Sequence, residues 1–193
     1  MPDHTNEKIH NIAEIASRLH DEAIYGMTYL SMAQSITQQM EQHKSEPRKF
    51  RELDIIRRAL QEAGIMRTTK LFERNRDICG AEGDKDICGI NELREFCKAN
   101  SEPYLPDWDF KEKELTKQDE PIKQKIEKLR RLRNKLTAHL DRKVVLEHRE
   151  KEFSVEYKDV FDLLNYVLSF TQYFHVSLAE KIDPFIYMNS WLV

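Results

Sequence analysis

The stretch NEKIHNIAEIASRLHDEAIYGMTYLSMAQSITQQMEQ, residues 6–42, decides the fold class. Ile12, Ala16, Leu19, Ala23, Met27, Leu30, Gln34, Thr37 and Met40 step by three or four, the spacing of one helical face. No proline interrupts the run, and Gly26 is its single glycine. At about 1.5 Å per residue such a helix reaches about 55 Å, more than a compact domain of this size needs. The pattern leaves two readings open: an ordinary bundle helix, or a strut that packs partly on a second chain.

Working outward, Ser45-Glu46-Pro47 marks a turn, with Pro47 at a first-turn position. A second helix is expected from Arg48 to about Arg76, burying Phe50, Leu53, Ile56, Leu60, Ala63, Leu71 and Phe72. Gly64 falls within that pattern and marks a kink or a close helix crossing. Asp77 to Gly89 reads as a loop with a short echo, Asp77-Ile78-Cys79-Gly80 and Asp86-Ile87-Cys88-Gly89. Cys79, Cys88 and Cys97 are too few and too widely spaced for an ordinary zinc site, so small half-buried thiols are the default. Asn91 to Asn100 reads as a short helix with Leu93 and Phe96 inward. Ser101 to Lys117 reads as a connector pinned by Trp108 and Phe110.

Asp119-Glu120-Pro121 is expected to begin the next helix. Asp141 to Phe153 reads as a connection or a short hairpin. The last long helix is expected from Val155 to Lys181. Val160, Leu163, Leu164, Val167, Leu168, Phe170 and Phe174 cover most of its circumference, as in a helix at the centre of a bundle. The apolar tail, Phe185-Ile186-Tyr187-Met188 and Trp191-Leu192-Val193, is expected to dock on its own bundle or on a partner. The expected fold is all-α: an antiparallel bundle of four main helices and a short extra one, forming a single domain over residues 1–193.

Composition agrees. With 5 Gly and 6 Pro in 193 residues, little material exists for a turn-rich β fold. The N-terminus lacks an apolar signal core and no run approaches a membrane span, which points to a cytoplasmic protein with reduced thiols and no membrane partner. Charge is unevenly placed. Lys123 to Lys151 holds eleven basic against four acidic side chains, a local +7 that leaves the rest at −10 of the overall −3. Such asymmetry points to a local anion site.

Inside that basic segment stands Arg131-Leu132-Arg133-Asn134-Lys135-Leu136-Thr137-Ala138-His139-Leu140-Asp141. On an ideal helix Ile126, Leu129, Leu132, Leu136 and Leu140 form one apolar stripe. Arg133 and His139 fall on its opposite shoulders, about 120° apart, and Asn134 turns further out. A straight helix cannot bring Arg133 and His139 to one phosphate. Either its end bends, or a second chain related by a two-fold axis supplies the facing half. The residue types suit metal-free RNA cleavage. His is the side chain that titrates near neutrality, and Arg holds a phosphate through forked hydrogen bonds. Asn134 would orient the His or donate to a phosphate oxygen, while Arg130, Arg131 and Lys135 would hold the RNA backbone. Spacing and chemistry alone favour the plainer reading: basic residues suit a helix C-terminus, and His139 caps it.

The segment Leu132 to Asp141 resembles the signature of the HEPN superfamily, all-helical domains bearing an Arg, four to six residues and a His. It looks most like the AbiU-like abortive-infection branch, and the likeness extends to Phe50 through Phe72. The resemblance implies a helical bundle, a homodimer with its motifs at the interface, and metal-independent endoribonuclease activity without cofactor or metal. It also implies a toxin or phage-defence role, with a protein antitoxin or regulator as a possible partner. Carried over by position, Arg133 and His139 would be catalytic and Asn134 supporting. His139 is followed by Leu140 and Asp141 rather than by the modifiable Tyr of some relatives, so that control is not implied. Other relatives are non-catalytic scaffolds, which keeps open a helical interaction or nucleotide-binding module.

Overall fold

The computed structural model describes residues 4–73, 89–105, 107–138 and 156–179. Five helices lie among them: α1 (His4–Gln42), α2 (Pro47–Lys70), α3 (Ile90–Tyr104), α4 (Trp108–Ala138) and α5 (Tyr157–Ala179). No strand occurs among the described residues, and the bundle is all-α, four long helices and one shorter. No described helix is long and apolar enough to cross a membrane. The possible hairpin at 141–153, the Cys79 and Cys88 loop and the apolar tail lie outside the described residues.

Helix α1 keeps the expected face. Ile12, Ala16, Leu19, Ala23, Leu30 and Met40 are buried, and Met27 is half-buried. Gln34 and Thr37 are exposed, and Ala33 takes the inward position between Leu30 and Met40. A tight turn, closed by the Glu46 N–H donating to the His43 carbonyl at 3.0 Å, starts α2 with Pro47 in its first turn. Pro47 suits that place because its missing N–H would have no helical partner there.

Gly64 is a close helix crossing. A Cβ at this position would stand 2.7 Å from Leu30 Cγ, and the Gly26 carbonyl oxygen lies 3.3 Å from the same point. Only a glycine lets the two backbones approach this closely. The buried face of α2 then runs through Gly64, Ile65, Thr68 and Thr69 to Leu71 and Phe72. Traced back from there, the face passes through half-buried Phe50, Leu53, Arg57 and Leu60. Ile56 lies beside that line and is 49% exposed, a correction to its expected burial. The helix also stops earlier than expected. Phe72 and Glu73 donate to carbonyls three residues back, at 3.1 and 3.2 Å, the tightened end of a helix.

The larger correction concerns Ser101 to Lys117. It is no connector: α3 extends to Tyr104 and α4 begins at Trp108, so Pro121 lies well inside α4. Proline removes one helical hydrogen bond, and here both Pro121 and Lys117, whose carbonyl loses its donor, are exposed. Water can satisfy that carbonyl, so the helix continues. Trp108 and Leu115 are buried at helical spacing, whereas Phe110 is 68% exposed and pins nothing. Trp108 sits in an aromatic cluster with Phe170, Tyr173 and Phe174 at centroid distances of 6.1–6.3 Å.

Helix α5 is the centre of the bundle and packs on α1, α2 and α4. Val160, Leu163, Leu164, Val167, Phe170 and Phe174 are all 2% exposed or less. Leu168, by contrast, is half-buried. Cys97 and Leu93 of α3 complete the core from the side, while the Phe96 side chain lies outside the described residues.

Candidate nucleic-acid site at the end of α4

The apolar stripe of α4 lies against the core as the helical projection requires. Leu129 is fully buried, and Ile126 and Leu132 pack against the core half-buried. That orientation puts Arg133 on the shoulder of the stripe, where its side chain is 25% exposed. Its Nε and Nη2 donate to the Asn134 Oδ1 at 3.2 and 2.9 Å, so the two motif residues form one unit. Its Nη1 pairs with the Glu73 carboxylate. Glu73 is only 6% exposed, so this acid is withdrawn from solvent and compensated by the arginine.

One turn earlier, Arg130 Nη2 donates to the Phe72 carbonyl at 2.9 Å. Two arginines of α4 therefore hold the end of α2. The far side of that end is equally fixed. The Ile90 N–H donates to the Leu71 carbonyl at 2.9 Å, and a Cβ on Gly89 would stand 2.4 Å from the Glu73 carbonyl oxygen. The chain thus leaves at Glu73 and returns beside it at Gly89, directly under the arginines.

The basic segment is partly consumed by its own fold. Lys125 pairs with Asp162 and, at 3.6 Å, with Asp159; Lys128 reaches Asp159 at 3.4 Å. The Asp162 hydrogen bond, reinforced by the two carboxylate charges, raises the Lys125 pKa above its ordinary value. Of the three residues expected to hold RNA phosphates, Arg131 is exposed and Arg130 is half-buried against Phe72. The Lys135 side chain and all of His139 lie outside the described residues. Arg133 and Asn134 are brought together; their geometry relative to His139 is not described.

Two features escaped the sequence reading. The first is Glu73, whose signal is an acid directly following the buried pair Leu71-Phe72. The second is Arg94 of α3, buried and held by Glu112 at 2.9 Å, Asp119 at 2.6 Å and the Tyr166 hydroxyl at 3.2 Å. Burial opposes the Arg94 charge, but hydrogen bonds to Asp119 and Glu112 outweigh it and its pKa lies above the usual arginine value. Burial likewise pushes the Tyr166 hydroxyl up to about 12, with the Asp119 and Glu112 charges adding and Arg94 opposing. Glu112 and Asp119 are seven residues apart, hence on one face of α4. Reading 101–117 as a connector hid that register. Among the described residues no three His, Cys, Asp or Glu side chains converge as metal ligands would.

The HEPN_AbiU2 family model, described as AbiU2, matches residues 9–186. The chain belongs to this family. The matched stretch contains the packed portions of all five helices and the Arg133–Asn134 pair. No curated protein and no solved structure matches the chain.

Proposed function

We propose that this AbiU2-family chain is a metal-independent endoribonuclease of the HEPN type, active in the cytoplasm as a homodimer in a toxin or phage-defence role. The observation that carries the reading is Arg133 locked to Asn134 at the end of α4, six residues before His139, in a chain of this family. In the reaction His139 takes the proton of a ribose 2′-OH, and the freed oxygen attacks the adjacent phosphorus. The bond to the 5′-oxygen breaks, and that oxygen leaves with a proton from a general acid. Arg133 neutralises the charge that builds on the non-bridging oxygens. The products are a 2′,3′-cyclic phosphate and a 5′-hydroxyl.

The division of labour between chains follows from helical geometry. Arg133 and His139 stand about 120° apart and about 9 Å along the axis on a straight helix. One chain's Arg133 with the partner subunit's His139 makes a composite site, and two-fold symmetry makes two of them. Glu73 is a positioning residue: its buried carboxylate fixes where the Arg133 fork stands. A protein antitoxin that covered the α4 end would silence the enzyme.

The same ion pair favours a second reading, a non-catalytic helical module, because it gives Arg133 a structural task independent of RNA. Incubation with cellular RNA in EDTA separates the two. The enzyme reading expects cyclic-phosphate ends from wild type and none from Arg133→Ala or His139→Ala. Intact RNA with wild type, or equal cleavage by His139→Ala, sinks it and leaves the module.

A further inference from the structure

A cavity of about 310 Å³ opens beside the Arg130–Phe72 contact, bounded by α3, α4, α5 and the end of α2. Its volume is at the small end of ligand sites, room for one flat heterocycle. Phe72 and Tyr166, both nearly fully buried, form the inner wall, with ring centroids 6.4 Å apart. The polar groups of that wall are already committed, since Tyr166 and Arg94 bond each other. The rim differs. Asn91, Lys123 and Glu127 are exposed and have no hydrogen-bond or ion-pair partner among the described residues. Arg130 stands between rim and wall, half-buried.

We propose that this cavity receives one unstacked base of the RNA, next to the scissile phosphate, and prefers a base carrying an exocyclic amino group. The inference rests on the ribonuclease reading and adds a specificity site to it. Position comes from the helix: Arg130 precedes Arg133 by three residues, about 4.5 Å along the axis, so a phosphate at Arg133 leaves a neighbouring base at the cavity mouth. Single-stranded RNA is read by splaying bases onto guanidinium planes and apolar surface, which half-buried Arg130, Ile122 and Ile126 supply, while the buried Phe72 and Tyr166 rings close the cavity behind them. Lys123 adds a cation for the backbone.

The preference comes from Glu127. A carboxylate only accepts hydrogen bonds, so it accepts from the amino group of cytosine, and likewise from that of adenine or guanine. Uracil places a carbonyl oxygen where cytosine has its amine, and two acceptors repel. Asn91 both donates and accepts, and so suits the remaining base edge without dictating the choice.

The test uses the full chain and short single-stranded RNAs that differ by one cytidine or uridine beside a mapped cleavage position. Wild type is expected to favour cytidine by about tenfold in kcat/KM. Glu127→Gln, an exposed helical substitution whose folding is checked by thermal melting, is expected to level that ratio because its amide donates to the uracil oxygen. Cleavage with no cytidine preference at any flanking position, or a preference that survives Glu127→Gln, overturns the proposal while the ribonuclease reading stands. Should wild type cut no RNA, the ribonuclease reading fails by itself. Titration with cytidine and uridine 3′-monophosphates then decides the cavity. Tighter cytidine binding lost in Glu127→Gln supports it, and equal or absent binding overturns it.

Discussion

From Ser31 to Leu60 the α1–α2 hairpin buries only Ala33 and Met40, and neither belongs to the core cluster; from Ile12 to Leu30, and again from Gly64 to Glu73, the same two helices are built into the core beside α5. The two regions also satisfy their charges differently. In the outer hairpin Asp54 holds Arg57 and Arg58 at 2.7 and 2.8 Å, and Arg48 holds Glu52 at 3.2 Å, all within four residues. In the body Arg94 bonds partners 18, 25 and 72 residues away, and Arg133 reaches back to Glu73. The hairpin tip is therefore local structure with a one-sided seam. In the body, polar pairs tie distant segments together.

That contrast breaks first at the core. Phe170→Ala, which empties a fully buried site beside Trp108 and Phe174, should destabilise by about 3–5 kcal/mol in urea unfolding. Ile56→Ala in the outer hairpin should stay within about 0.5 kcal/mol. Equal losses would erase the distinction between the regions. Next comes Arg94→Ala, which removes the cation that Glu112 and Asp119 share and leaves Glu112 with Lys98 alone, at 3.1 Å. With the Asp119 side chain 43% exposed, the loss should be about 2–4 kcal/mol, measured by the same unfolding.

Alkaline pH probes the same network. The Tyr166 hydroxyl ionises at about 12 in the folded chain against the ordinary value of 10.0, so the folded state keeps its proton after the unfolded state has lost it. Its contribution is present below pH 10 and declines as pH rises towards 12, by about 2–3 kcal/mol in all. The difference in unfolding free energy between wild type and Tyr166→Phe should carry that slope. A difference flat across this range would mean the hydroxyl is not shielded. The smallest effect is at the crossing. Gly64→Ala gains about 1 kcal/mol of helix propensity. It loses about 1–3 kcal/mol by pressing on Leu30, for a net loss of about 1 kcal/mol in thermal unfolding. A stabilised variant would show that the helices can move apart there.

These regions also divide what could be read in advance. Periodicity exposed α1 and α5, because each face repeats a burial that local spacing encodes. The same logic gave the α4 stripe and put Arg133 on its shoulder. Pro121 misled, because a proline on an exposed face costs a helix little of its continuity, and the start of α4 was placed at Asp119, eleven residues late. Ile56 misled because apolar character alone does not fix phase, whereas Gly64, read as a kink or a close helix crossing, is the crossing. Glu73 and Arg94 were missed for a different reason: local signals hint at their burial but not at their partners. A buried ion pair depends on which segments meet in space, and nothing in the local sequence of either partner names the other.

The claim that matters most is that Arg133 of one chain works with His139 of another. Mixing Arg133→Ala with His139→Ala tests it directly, after each variant alone is shown to cut no RNA. Random exchange makes half the dimers mixed, and each mixed dimer holds one intact site of two, so about a quarter of wild-type cleavage should return. A mixture that exchanges subunits, as seen by differential labelling, yet stays inactive would contradict the composite site.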